Sequence, residues 1–119
     1  MSRISNWTYV SPAAVTDTAD DVAAAAPGAG KRNVVRSAQI YTNSASTESL
    51  AVIKSGSTIL FEGSLGALDN AQGPIEVTFD PPLRGGENEA INVANITNSA
   101  SSFFNLQGWV ERVNEPAQP

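Results

Sequence analysis

Ile75-Glu76-Val77-Thr78-Phe79 alternates large apolar side chains with polar ones. Successive residues of a strand point to opposite faces, so a period of two reads as a strand with one buried and one wet face. Asp80-Pro81-Pro82 follows, and the strand is expected to stop there because proline has no N–H for a ladder. Upstream, 50–54 is a short apolar run, Ser55-Gly56 is a tight-turn signal, and 57–62 returns, which together read as a hairpin. The loop between this hairpin and Ile75 is rich in Gly, Asn and Asp.

Working outward, residues 34–42 form a β-branched run with imperfect parity. Ala38 and Ile40 share a face, but Arg36 would share it too, so a bulge is expected near Arg36 or Ser37. Downstream, Leu83-Arg84-Gly85-Gly86 is a turn, 90–97 a strand with Ile91 and Val93 on one face, and 103–113 the last long strand. Six strands are thus expected after residue 31, joined by loops too short for helical crossovers, so pairing should be antiparallel. This is the pattern of a β-sandwich or barrel. The expected core is Ile40, Val52, Ile59, Phe61, Ile75 and Val77, with Phe79, Leu83, Ile91, Val93, Phe104 and Leu106.

Residues 1–30 differ from the rest. Turn formers dominate, and Trp7, Tyr9 and Val10 are the sizeable side chains near the start, in alternation that suits a short strand or an arm lying on another surface. Residues 22–26 have helix propensity but are too few to hold a helix alone, and Pro27-Gly28-Ala29-Gly30 stops regular structure. The expected organisation is an N-terminal arm and linker at 1–30, a β-sandwich at 31–113 and a flexible tail at 114–119.

Composition narrows the chemistry. The 119 residues include no Cys and no His, which removes disulfides, thiol catalysis, Ser-His-Asp triads and His-based metal sites. The formal charge of -5 disfavours a nucleic-acid partner, and the small basic group Lys31, Arg32 and Arg36 reads as a solvated loop. No run approaches the ~20 apolar residues of a membrane span, and 22–26 lacks the basic flank of a signal peptide, so synthesis in the cytoplasm is expected.

Other patterns carry bland readings. Gly28-Ala29-Gly30-Lys31-Arg32 lacks the first glycine and the metal-binding hydroxyl of a phosphate loop, and reads as a hinge. Asp17, Asp20 and Asp21 do not have calcium-loop spacing, and Asp20 or Asp21 could cap a helical turn over 23–26. Glu62, Glu76, Glu87 and Glu89 are the carboxylates a glycosidase would need, yet none carries a signal of burial. Asn6-Trp7-Thr8 and Asn95-Ile96-Thr97 match the glycosylation sequon but should go unused without a secretory signal. The residues left for a partner interface are Trp7 and Tyr9 on the arm, Arg84 for a carboxylate across the interface, and Trp109 as core or interface. No enzyme activity, cofactor or metal is expected.

Several phrases add up. They are Lys31-Arg32-Asn33-Val34-Val35-Arg36-Ser37-Ala38-Gln39-Ile40, then Ile53-Lys54-Ser55-Gly56-Ser57-Thr58-Ile59 within 50–63, Pro81-Pro82-Leu83-Arg84-Gly85, Ala90-Ile91-Asn92-Val93-Ala94, and Asn105-Leu106-Gln107-Gly108-Trp109. In this order they resemble small jelly-roll capsid decoration (cement) proteins of tailed bacteriophages. The resemblance covers roughly 31–110. It implies a jelly-roll-like antiparallel sandwich, a homotrimer, the major capsid protein as partner, and a place on the outer surface of the virion head. The alternative within the same group is a tail or fibre component that attaches to host-surface glycan, which would require an exposed aromatic platform beside polar groups.

Overall fold

The computed structural model describes residues 3–12, 15–16, 20–42, 49–65, 74–95 and 101–114. Those residues form strands and turns with no helix: β1 (Arg3–Val10), β2 (Val15–Thr16), β3 (Asp21–Ala24), β4 (Lys31–Thr42), β5 (Ser49–Ser55), β6 (Thr58–Leu65), β7 (Ile75–Arg84), β8 (Ile91–Asn95) and β9 (Ser101–Arg112). They make two antiparallel sheets. The larger has the order β1-β9-β4-β7, with β2 also on β9, and the smaller has the order β3-β8-β5-β6.

The connectivity is nested. β5 turns back into β6, β4 pairs with β7, β3 with β8, and β1 with β9. The chain therefore runs as one long double strand whose successive pairs alternate between the sheets. The molecule is elongated, 46 × 24 × 21 Å.

The expected β-sandwich is present, and so is the expected bulge. The register of β4 shifts between Val35 and Ser37 against both β7 and β9. The extra residue lets Val35, Ala38 and Ile40 all face the core, while Arg36 is exposed. A second bulge corrects the expected core. The β5–β6 register shifts between Ile53 and Lys54, pairing Ile53 with Phe61 but Lys54 with Ile59. Leu60 is the extra residue, so Ile59 loses the parity it shares in sequence with Phe61 and is 45% exposed. On β5 it is Ala51 and Ile53 that enter the inter-sheet cluster with Phe104, Leu106, Ile91 and Val93, whereas Val52 is buried outside that cluster. Ile75, Val77, Phe79 and Leu83 pack against the cluster but are only half-buried.

The proline pair does not end its strand. β7 continues through Pro81 and Pro82 to Arg84, but pairing with β4 jumps from Ser37↔Thr78 to Val35↔Leu83. β7 is an edge strand, and its prolines occupy the unpaired stretch where a missing N–H costs nothing.

The segment expected as an arm is built into the sandwich. β1 pairs with β9 over most of its length, and Trp7 and Tyr9 are half-buried against the core. The alanine run after Asp21 is not helical: it is β3, held on β8, so tertiary pairing overrides local propensity. The expected hinge at 27–30 is pinned. Gly28 N donates to Asn88 Oδ1 (2.9 Å) and Gly30 N to Glu87 Oε2 (2.8 Å), with both glycines at positive φ. Those carboxylate and amide oxygens already hold the backbone N–H groups that a phosphate loop would offer to an anion.

Candidate functional site on the outer face of the larger sheet

Across β1, β9, β4 and β7 the register places outward-facing side chains in rows. Tyr41 lies opposite Phe103, and their rings stack at 5.1 Å with an interplanar angle of 12°. The next row is Val10, Asn105, Gln39 and Glu76, and the one after it Thr8, Gln107, Ser37 and Thr78. Alternate residues of the same strands, Leu106, Ala38 and Val77, face the core, which fixes these rows on the opposite face. The two rows line a depression of about 530 Å³. A smaller one of about 300 Å³ adjoins it at Thr8 and Gln107, and is edged by Asn6, Arg36, Trp7 and Trp109.

Beyond the depressions lies a charged knot. Glu111 is fully buried. Its Oε2 accepts from Arg32 Nε at 2.7 Å and Arg84 Nε at 3.1 Å, and its Oε1 accepts from the Trp109 indole N–H at 3.1 Å. Burial pushes this carboxyl up, but the hydrogen bonds from Trp109, Arg32 and Arg84 and the charge of Arg32 outweigh it, so its pKa falls below the ordinary 4.5. β4 supplies Arg32, β7 supplies Arg84, and central β9 supplies Trp109 and Glu111, so the knot ties three strands together.

The four residues expected at a partner interface divide accordingly. Arg84 and Trp109 meet on Glu111, and Trp109 is 2% exposed, so both serve the knot. Trp7 and Tyr9 stand on edge strand β1 with their rings toward the core. Two buried polar atoms find no hydrogen-bond partner among the described residues: Trp7 Nε1, whose ring packs toward the core, and Asn105 Oδ1, whose residue lines the larger depression.

The carboxylates weighed from sequence do not assemble. Glu62 sits on the outer face of the smaller sheet, opposite Val52, and Glu76 on the outer face of the larger one. Glu89 accepts from Ser55 Oγ at 2.6 Å, Glu87 holds Gly30, and Asp20 pairs with Lys54 at 2.8 Å. Asp17 lies outside the described residues, and among those described no group of acidic side chains is placed to hold a metal ion. Asn95 of the second sequon is buried, donating to Val15 O and accepting from Ser102 Oγ.

Sequence reasoning passes over Gln39, Asn105, Gln107 and Glu111. A signal exists for two of them: in 104–107, Asn105 and Gln107 alternate with Phe104 and Leu106, which marks a wet face as clearly as the apolar partners mark the core. Comparisons with family models, curated proteins and solved structures find no match to this chain.

Proposed function

We propose that this protein is a capsid decoration protein of a tailed bacteriophage, a homotrimer that binds the outer surface of the assembled head and bridges capsid subunits without catalysing a reaction. The observation that carries this reading is the ordered set of phrases that resembles that group. Each falls on a defined part of one sandwich: 31–40 on β4, 50–63 on the β5–β6 hairpin, 81–85 at the end of β7, 90–94 on β8 and 105–109 on β9. The nested pairing supports the jelly-roll reading, since two interleaved Greek keys give that order when β1 and β2 count as one strand.

Three of the five large apolar side chains exposed among the described residues support a contact side on β1 and β3. β1 and β3 touch each other along one side of the sandwich, and both are edge strands. Ile4 and Val10 on β1 and Val22 on β3 are 39%, 63% and 58% exposed. Exposed apolar edge strands offer both unpaired backbone groups and surface to bury. A trimer presenting three such edges binds several subunits at once, so weak contacts suffice through effective concentration. Binding only the assembled shell then stabilises it by mass action.

The test is co-sedimentation with intact heads stripped of their decoration. Saturable binding is expected, and Val10→Asp and Val22→Asp should each weaken it about tenfold, roughly 1.4 kcal/mol, with thermal unfolding unchanged. Cross-links from Lys31 or Lys54 to the major capsid protein are expected on virions. Links confined to tail proteins would overturn the head assignment in favour of an adsorption component. A deletion of residues 2–10 is not a clean alternative, because it strips β1 from β9 and uncovers core, and it should lower the unfolding temperature.

A further inference from the structure

We propose that the outer face of the larger sheet is a carbohydrate-binding groove for a neutral oligosaccharide. This is a binding activity beyond attachment to the capsid and does not depend on it.

The lining selects the ligand. The two rows over the larger depression present amides from Gln39, Asn105 and Gln107 and hydroxyls from Thr8, Ser37 and Thr78, with Glu76 as the charged member and Val10 as the apolar one at the β1 edge. Amide side chains both donate and accept, which matches vicinal sugar hydroxyls that do the same. A protein partner would call for aromatic, Met or Arg anchors at the centre, and the centre here is amide and hydroxyl. A nucleic acid would call for a basic groove, and Glu76 opposes it.

Two further observations point the same way. Asn105, which stands in the outward-facing row and lines the larger depression, has an unpartnered acceptor in its Oδ1. An unmet buried polar atom is costly, and a sugar hydroxyl can donate to it. The atom is closed off in the free protein, so engaging it requires the lining side chains to part. At the end of the groove the Tyr41–Phe103 pair stands on the same face, with Tyr41 42% exposed. Stacking on Phe103 covers one face of Tyr41, and its uncovered side suits the apolar face of a pyranose ring. The depression, at about 530 Å³, is within the size range of small-molecule sites.

The experiment uses the full-length protein on an array of bacterial surface polysaccharides, followed by nitrogen-15 NMR titration with each positive glycan. Binding to neutral polymers is expected, insensitive to salt, with shifts in the side-chain amide signals of Gln39, Asn105 and Gln107. Asn105→Ala and Gln107→Ala should each lose at least tenfold in affinity while Lys54→Ala, on the other sheet, keeps it. Asn105 and Gln107 make no hydrogen bond that the fold needs among the described contacts, so these variants should fold. Silence across the array would overturn the proposal. So would binding restricted to acidic glycans and abolished by salt, or amide shifts confined to the smaller sheet. Val10 lines the groove as well as the β1 edge, so head co-sedimentation of Val22→Asp, on the other sheet, is the separate measure by which either proposal can fail alone.

Discussion

Glu111→Ala is expected to cost about 3 kcal/mol of stability and to lower the unfolding temperature by roughly 10 °C. The carboxylate is fully buried, and three donors converge on it. Removing it leaves two guanidinium groups facing each other across β4 and β7 and an indole N–H on central β9 without its acceptor. Withdrawing a shared acceptor from buried donors built around it costs more than the pairing itself gains. Arg32 and Arg84 keep side-chain exposures of 21% each, so water relieves part of their loss, which holds the effect near the low end for a buried pair. The asymmetry gives a sharp control. Replacing Glu111, Arg32 and Arg84 together by apolar residues of similar volume should recover the part of the loss owed to the two guanidinium charges. Urea unfolding of the single and triple variants measures both, and a triple variant no better than Glu111→Ala would show that the knot matters by shape rather than charge.

The same carboxylate sets a pH dependence. Its folded pKa lies below 4.5, so over that range the unfolded chain binds the proton more readily than the folded one. The stability it contributes is therefore complete above 4.5 and lost as pH falls through the depressed folded value. Glu111→Gln keeps an acceptor for Trp109 but cannot titrate. Its stability should fall less steeply with acid than that of the wild type, and parallel curves would remove Glu111 as a source of the acid sensitivity.

Parity makes most of the fold legible in the sequence because most strands obey it. Ile75, Val77 and Phe79 alternate cleanly, and the misfit of Arg36 with Ala38 and Ile40 marks the β4 bulge in the residues themselves. Leu60 defeats the same logic, because an extra residue inside an unbroken apolar run leaves no polar mark; the run Ile59-Leu60-Phe61 reads the same in either register. The N-terminal strands are hidden for a different reason. Short, alanine-rich and serine-rich segments gain their pairing from β9 and β8, which lie far away in sequence, and local propensity cannot report that. The candidate site is half legible. Aromatic and arginine residues stand out by type, and Arg84 and Trp109 prove to share one partner, Glu111. The amides of the groove do not stand out, because each alone is an ordinary surface residue. Only the register of three strands shows that Asn105, Gln39 and Glu76 stand in one row.

Gly108→Ala should destabilise the protein by about 3 kcal/mol or more, the upper end for overpacking. A methyl group there would collide with the carbonyl oxygen of Val34 and come within 2.5 Å of Cζ2 of Trp7. The Trp7 contact alone would be negotiable, since a side chain can rotate away. The Val34 carbonyl cannot, because it belongs to β4 where Val34 faces Trp109 and Val35 faces Gly108. Relief means prying β9 from β4, the central pair of the larger sheet. Two results separate these causes. If the backbone clash dominates, adding Trp7→Leu to Gly108→Ala restores little stability, and hydrogen exchange quickens along β4 and β9 together. If the double variant regains wild-type stability, the ring was the obstacle and the close approach of the strands was not. The flanking residues make the position consequential for function as well. Gln107 lines the groove and Trp109 binds Glu111, so a shift of β9 at Gly108 would disturb the polar face and the charged knot in one movement.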